Sequence, residues 1–186
     1  MQETSSCHEI LQGGIDAHSL QHEVRHLSLD YVSNNTIAAM KKILAPRPRT
    51  ILVQREWKGS GTPLSISKSK FMSLRALKTC SISTHMTSLK HLRYLDCSYS
   101  GISALPEATT MLYNLQTLNL ISCRKITKLP EGMRYMSSRR HSFFVMSCHL
   151  ERMPRGIGQL NSLVTLTNYV NHSDAKRGID QLKDLN

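Results

Sequence analysis

Three series of residues keep a 24-residue period in this chain. They are Pro106, Pro130 and Pro154; Leu105, Leu129 and Met153; and Ile102, Ile126 and Leu150. A period of this length restricts the fold to a stack of one small unit, because a unit of about 24 residues cannot bury its apolar face alone.

The clearest copy of the unit, LQTLNLISC, opens at Leu115 and closes at Cys123. It is followed by Ile126 and by the Leu129–Pro130 step. The pattern LxxLxLxxC, then an apolar residue and LP, is that of a leucine-rich repeat. It predicts an α/β solenoid: a curved parallel sheet on the concave face, with short helices, 3-10 turns and loops on the convex face. The leucines turn inward and the residues between them face solvent. Proline ends the extended stretch by fixing φ and removing an N–H. The return runs 107–113 and 131–136 are expected to pack Met111, Leu112, Met133 and Met136 against the core. Cys123 takes the turn position of the motif as a buried thiol, with Cys80, Cys97 and Cys148 near equivalent positions.

Taken in order, residues 1–23 carry weak patterning and are expected to be irregular. Residues 24–73 read as degenerate repeats, with strands near 24–30 and 50–53. Between them Ile37, Met40, Ile43 and Leu44 fall at helical spacing over 34–44, and Pro46 and Pro48 stop that helix. Residues 56–70, rich in Gly, Ser and Lys, read as an exposed loop anchored by Trp57, the one tryptophan. Residues 74–186 are the repeats proper. Units open at Leu74, Leu92 and Leu115, the first of them short by about five residues against the 24-residue period. The next is eroded: Arg139 and Ser142 stand where leucines belong, and Phe144, Leu150 and Met153 hold its phase. The last strand starts at Leu163, two periods after Leu115. Residues 178–186 resemble the approach to a further repeat that does not follow, so a C-terminal truncation is expected.

Composition bears on partners and compartment. The start has no basic and apolar signal-peptide pattern, and no apolar run spans a bilayer. Five cysteines without a CxxC pair make neither a disulfide framework nor a zinc site. A cytoplasmic location, with the nucleus as alternative, is expected, and the sequons at Asn34 and Asn171 carry no weight there. The net charge is +11. Lys and Arg are scattered along the sequence without a nucleic-acid-binding module, which leaves a nucleic acid or anionic surface as the lesser alternative. His18, His22 and His26 are spaced four apart, but His26 lies in a strand-like segment and no carboxylate or cysteine completes a metal set. No phosphate loop, nucleophile elbow or HExxH is present. No enzyme, metal or cofactor is expected.

What remains is the concave surface. Its outward residues are expected to be Arg93, Tyr94, Asp96 and Ser98 in one unit, then Gln116, Thr117, Asn119 and Ile121. The eroded unit adds Arg140, His141, Phe143 and Val145, and the last adds Val164, Thr165 and Thr167. Aromatic, arginine and apolar members together make a protein-binding surface, with Phe143 its sharpest member; the alternative is ordinary solvated sheet.

The wording of the repeats resembles that of plant nucleotide-binding leucine-rich-repeat disease-resistance proteins. SLKHLRYLD from Ser88, ISALPE from Ile102, LYNLQTLNL from Leu112 and KLPEGM from Lys128 carry the resemblance, with MPRGIGQL from Met153 and VRHLSLD from Val24. It covers about residues 22–186. It implies an intracellular immune-receptor repeat region that senses a pathogen effector or a guarded host protein, or restrains a nucleotide-binding domain. The P-loop, coiled coil and MHD-type motif of such receptors are missing here, so nucleotide switching is not carried over, and a truncated receptor remnant without function of its own is a further alternative.

Overall fold

The structure, a computed structural model, describes residues 10–11, 25–29, 48–54, 71–82, 84–136, 141–144, 149–170, 173 and 178–184. Eight strands run through them: β1 (Ile10–Leu11), β2 (His26–Leu29), β3 (Thr50–Val53), β4 (Ala76–Lys78), β5 (Tyr94–Asp96), β6 (Thr117–Asn119), β7 (His141–Phe144) and β8 (Leu163–Leu166). They form one parallel sheet whose spatial order is the chain order. Parallel pairing of successive strands calls for a crossover between them, as in a solenoid.

The inward column of the sheet is continuous. Leu27, Ile51, Leu77, Leu95 and Leu118 are aligned partner to partner across β2 to β6 and all are buried. A buried leucine or isoleucine contributes roughly 1.5–3 kcal/mol before the entropy of ordering is subtracted. Each one covers the next, so the contribution exists only within the stack. Leu74, Leu92 and Leu115, which open the strands, are fully buried as well.

On the convex side the described elements are 3-10 helices only: Thr84–Ser88, Glu107–Met111, Glu131–Tyr135, Ile157–Gln159 and Ile179–Asp184. Units of this length leave room for a turn or two between the LP step and the next strand, and short 3-10 pieces suit that span. Leu112, Met133 and Met136 pack inward as expected, but Met111 is 46% exposed. It ends its 3-10 helix one residue before the buried Leu112, on the turn's outer side.

The convex turns are tied from unit to unit. The Glu107 carboxylate accepts the backbone N–H of Glu131 at 3.0 Å and of Gly132 at 3.3 Å. One period later the Glu131 carboxylate accepts the N–H of Arg155 at 2.8 Å. Helix-start N–H groups have no partner within their own helix, so a carboxylate from the preceding unit answers both their hydrogen bonding and their partial positive charge. Gln181 closes the far end, its side-chain oxygen accepting from Gly156 and Ile157.

Two expectations change. Ile10–Leu11, inside the segment read as irregular, pairs in parallel with Ser28 and Leu29. Within residues 24–73, read as degenerate repeats, Leu27 and Ile51 stand 24 apart in direct register. The eroded unit is also phased differently. Strand β6 to β7 spans 25 residues, Leu118 to Phe143, and β7 to β8 spans 23, Phe143 to Leu166. The two intervals restore the 48-residue total, so the count over two units conceals the shift. The helix expected over 34–44, the loop over 56–70 and Trp57 lie outside the described residues.

Candidate functional site

Two neighbouring columns dominate the solvent side of the sheet. The first carries His26, Thr50, Ala76, Tyr94, Thr117, Ser142 and Thr165, aligned strand by strand. Tyr94, 37% exposed, is its largest described side chain. Gln116 is exposed, and Thr117 and Thr165 are half-buried. Val164 is 69% exposed because the β7–β8 register slips between His141 and Ser142, leaving it as the extra residue of a bulge.

Asp96 and Ser98 are corrected from outward to buried, at 7% and 6% exposure. The Asp96 carboxylate turns along the strand end and accepts the Ser98 N–H at 2.8 Å. Its other oxygen accepts from the Tyr94 hydroxyl at 3.3 Å. Asn119, half-buried, repeats the first arrangement with the Ile121 N–H at 3.0 Å. Both side chains satisfy a strand-end amide two residues on, the local bonding that Asp and Asn favour. Each turn then places one residue in the left-handed region, Tyr99 at φ 57° and Ser122 at φ 60°. Partial burial, then the Asp96 charge, raise the Tyr94 hydroxyl above its ordinary pKa, and it stays a neutral donor near neutral pH.

Phe143 is registered with Leu118 and Leu166, and Phe144 with Asn119. His141 belongs to β7, and Arg140 and Val145 lie outside the described residues. A 25-residue offset from Cys123 leads to Cys148, and the same offset from Leu118 and Leu120 leads to Phe143 and Val145. The eroded unit thus reads RxxFxVxxC. That spacing was the available signal.

Behind the sheet lie the thiols. Cys97 replaces the third leucine of its unit and Cys123 holds the turn position; both are fully buried. The Cys123 thiol donates to the Cys97 carbonyl at 2.9 Å and lies 3.4 Å from the Ser100 hydroxyl. It therefore serves the turn of the unit before it. Burial, then Cys123, Asp96 and Cys80, push the Cys97 thiol well above its ordinary value. An unfolded thiol ionises near pH 8.5, by the usual reference value. The stability linked to Cys97 is therefore full below about pH 8.5 and is lost as pH rises through the folded value. In native protein at pH 8.5, alkylation of Cys97 should proceed no faster than global unfolding. Peptide mass spectrometry after timed iodoacetamide exposure checks this; labelling faster than unfolding would show an accessible thiol.

The second column stands at the N-terminal edge of the strands and was not expected. Arg49 N–H donates to the Arg25 carbonyl at 2.7 Å, Arg75 to Arg49 at 2.7 Å, Arg93 to Arg75 at 2.8 Å and Gln116 to Arg93 at 2.7 Å. Four arginines scattered over 69 positions of sequence, from 25 to 93, thus become direct neighbours on consecutive strands, all exposed. Their common signal was an arginine two residues before each inward residue: Leu27, Ile51, Leu77 and Leu95.

Among the described residues no group of three His, Cys, Asp or Glu could hold a metal ion, and no helix is long and apolar enough to cross a membrane. His26 is exposed on β2; His18 and His22 lie outside the described residues.

The fold has solved counterparts. A leucine-rich-repeat protein of Leptospira interrogans superposes with a TM-score of 0.66 at 20% identity, covering 96% of this chain. The leucine-rich repeat domain of the type III effector XopL gives 0.56 at 18% identity, covering 87%. The chain spans 45% and 58% of those two chains, so it corresponds to about half of either. No curated protein matches it. Residues 58–186 match the family model described as a leucine-rich repeat region. With that match over most of its length, and with the stacked sheet that its period demands, the chain belongs to the leucine-rich-repeat family.

Proposed function

We propose that the chain is a non-catalytic, protein-binding repeat module of plant defence. Its partner is a pathogen effector, a guarded host protein or the nucleotide-binding domain of a parent receptor, and it acts in the cytoplasm or nucleus. The repeat wording that resembles plant resistance proteins supports the setting. The observation that carries the binding role is the strand face itself: Tyr94, Thr117 and Thr165 share one column, beside a row of arginines that Gln116 continues. Tyrosine and arginine next to small polar residues make the composition that protein interfaces favour.

A photo-crosslinking residue placed at Tyr94 or Gln116 tests this in plant cells. Crosslinked protein is expected from both positions and not from Tyr135, which is 63% exposed on the convex side. Equal yield from Tyr135 would remove the strand face as the docking surface. The net charge of +11 favours a second reading, an anionic-surface binder. That reading requires crosslinks to nucleic acid or lipid instead.

A further inference from the structure

We propose that Arg25, Arg49, Arg75 and Arg93 form a linear receptor strip for an extended acidic segment of a partner protein. The reading deepens the protein-binding role of the strand face and rests on it.

The strip is built by the fold. The amides of Arg49, Arg75 and Arg93 are each bonded to the carbonyl of the arginine one unit before. Neighbouring strands are about 4.8 Å apart, so the row extends roughly 14 Å across β2 to β5. An extended peptide rises about 3.3 Å per residue, and four or five residues cover that length. Guanidinium groups present planar forks that match carboxylates.

Arg49, Arg75 and Arg93 make no side-chain bond to the core among the described residues. The backbone hydrogen bonds that join the units need no particular side chain, and Gln116 continues the same ladder without a charge. Arg49, Arg75 and Arg93 are like charges on consecutive strands and repel one another, a cost to the free protein that an anionic ligand removes. The adjoining column, His26, Thr50, Ala76 and Tyr94, contains no carboxylate.

The occupant's class follows from the surroundings of the row. The neighbouring column offers only Tyr94 and the His26 imidazole, at opposite ends of the row, too few for the stacked bases that single strands require. Among the described residues the row, four charges long, has no second line of cations for the opposite backbone of a duplex. A protein that contacts Tyr94 and Gln116 reaches the arginines on the same face without a break. Carboxylates along one of its segments are the matching chemistry.

The test uses the full chain, a fluorescent octaglutamate peptide and a fluorescent eight-base oligothymidine, with anisotropy read at low salt. The peptide is expected to bind more tightly than the oligonucleotide. Each arginine replaced should cost about five-fold, the upper range for an exposed ion pair, so R75Q/R93Q should bind roughly 25-fold more weakly. R124Q/K125Q, which alters two exposed residues of a turn, should leave binding unchanged. Circular dichroism confirms that each variant is folded. Equal peptide affinity for R75Q/R93Q and the unaltered chain overturns the strip. Tighter binding of oligothymidine overturns the assignment to an acidic protein segment. Failure of the strip leaves the crosslinks from Tyr94 and Gln116 intact, whereas failure of the strand face abolishes them.

Discussion

Leu118→Asp should unfold the middle of the array. Leu118 is 1% exposed and registered between Leu95 on one side and Phe143 on the other, at the centre of the inward column. The substitution removes roughly 1.5–3 kcal/mol of leucine burial. It also puts a carboxylate where no described side chain offers a charge, a cost of several kcal/mol that the group meets by taking up a proton or by opening the structure. A domain of this size is stable by about 5–15 kcal/mol in all, so a loss of roughly 5 kcal/mol or more leaves little folded chain. Gln116→Asp, two residues away on the exposed side, should shift stability by no more than about 0.5 kcal/mol. Urea denaturation of the pair decides the matter. Similar midpoints for both variants would mean that the inward and outward faces have been exchanged.

Gly158→Ala should undock the last described 3-10 helix while leaving the centre of the stack folded. A Cβ at this buried position would stand 1.8 Å from the Gln181 carbonyl oxygen, and the atom it meets is backbone. The chain cannot yield there without moving Ile179–Asp184. That movement breaks the Gln181 bonds to Gly156 and Ile157 and disturbs the 2.5 Å bond from the Tyr169 hydroxyl to the Gly178 carbonyl. Overpacking of this kind costs about 1–3 kcal/mol, occasionally more. Hydrogen exchange should show the amides of Gly156, Ile157 and Gln181 losing protection while Leu95 and Leu118 keep theirs. Gly132→Ala is the instructive contrast. Its Cβ would meet the Thr110 hydroxyl at 2.9 Å and the Glu107 carboxylate at 3.0 Å, both ends of side chains able to swing away. A loss of protection at Gly156 in the Gly132 variant alone would reverse the assignment.

Much of this architecture was legible because leucine spacing and strand geometry obey the same rule. Wherever LxL occurred, at Leu27–Leu29 or Leu118–Leu120, the alternation of a strand left one reading, and the buried residues follow it. The eroded unit was misread by one residue because Leu129–Pro130 and Met153–Pro154 keep a 24-residue step on the convex side. The strand between them is shifted to 25 and then 23. A period measured on one side of a solenoid does not fix the other. Asp96 was placed outward by alternation alone, which ignores the affinity of a short carboxylate for an amide two residues on. The arginine row escaped for a different reason. Charges 24, 26 and 18 residues apart look scattered until the register removes the unequal returns between them.

The carboxylate ties on the convex side give the stack a polarity in time. Glu107 precedes Glu131 and Gly132 in the chain, and Glu131 precedes Arg155, so in these ties the acceptor is synthesised before the amides that need it. A chain leaving the ribosome from its N-terminus already displays the cap for a turn not yet made. The two directions of growth are therefore unequal. At these glutamate ties, loss of the later unit leaves a carboxylate in water, at little cost, and loss of the earlier one leaves amides without their acceptor. The Gln181 contact, whose acceptor follows Gly156 and Ile157 in the chain, runs the other way.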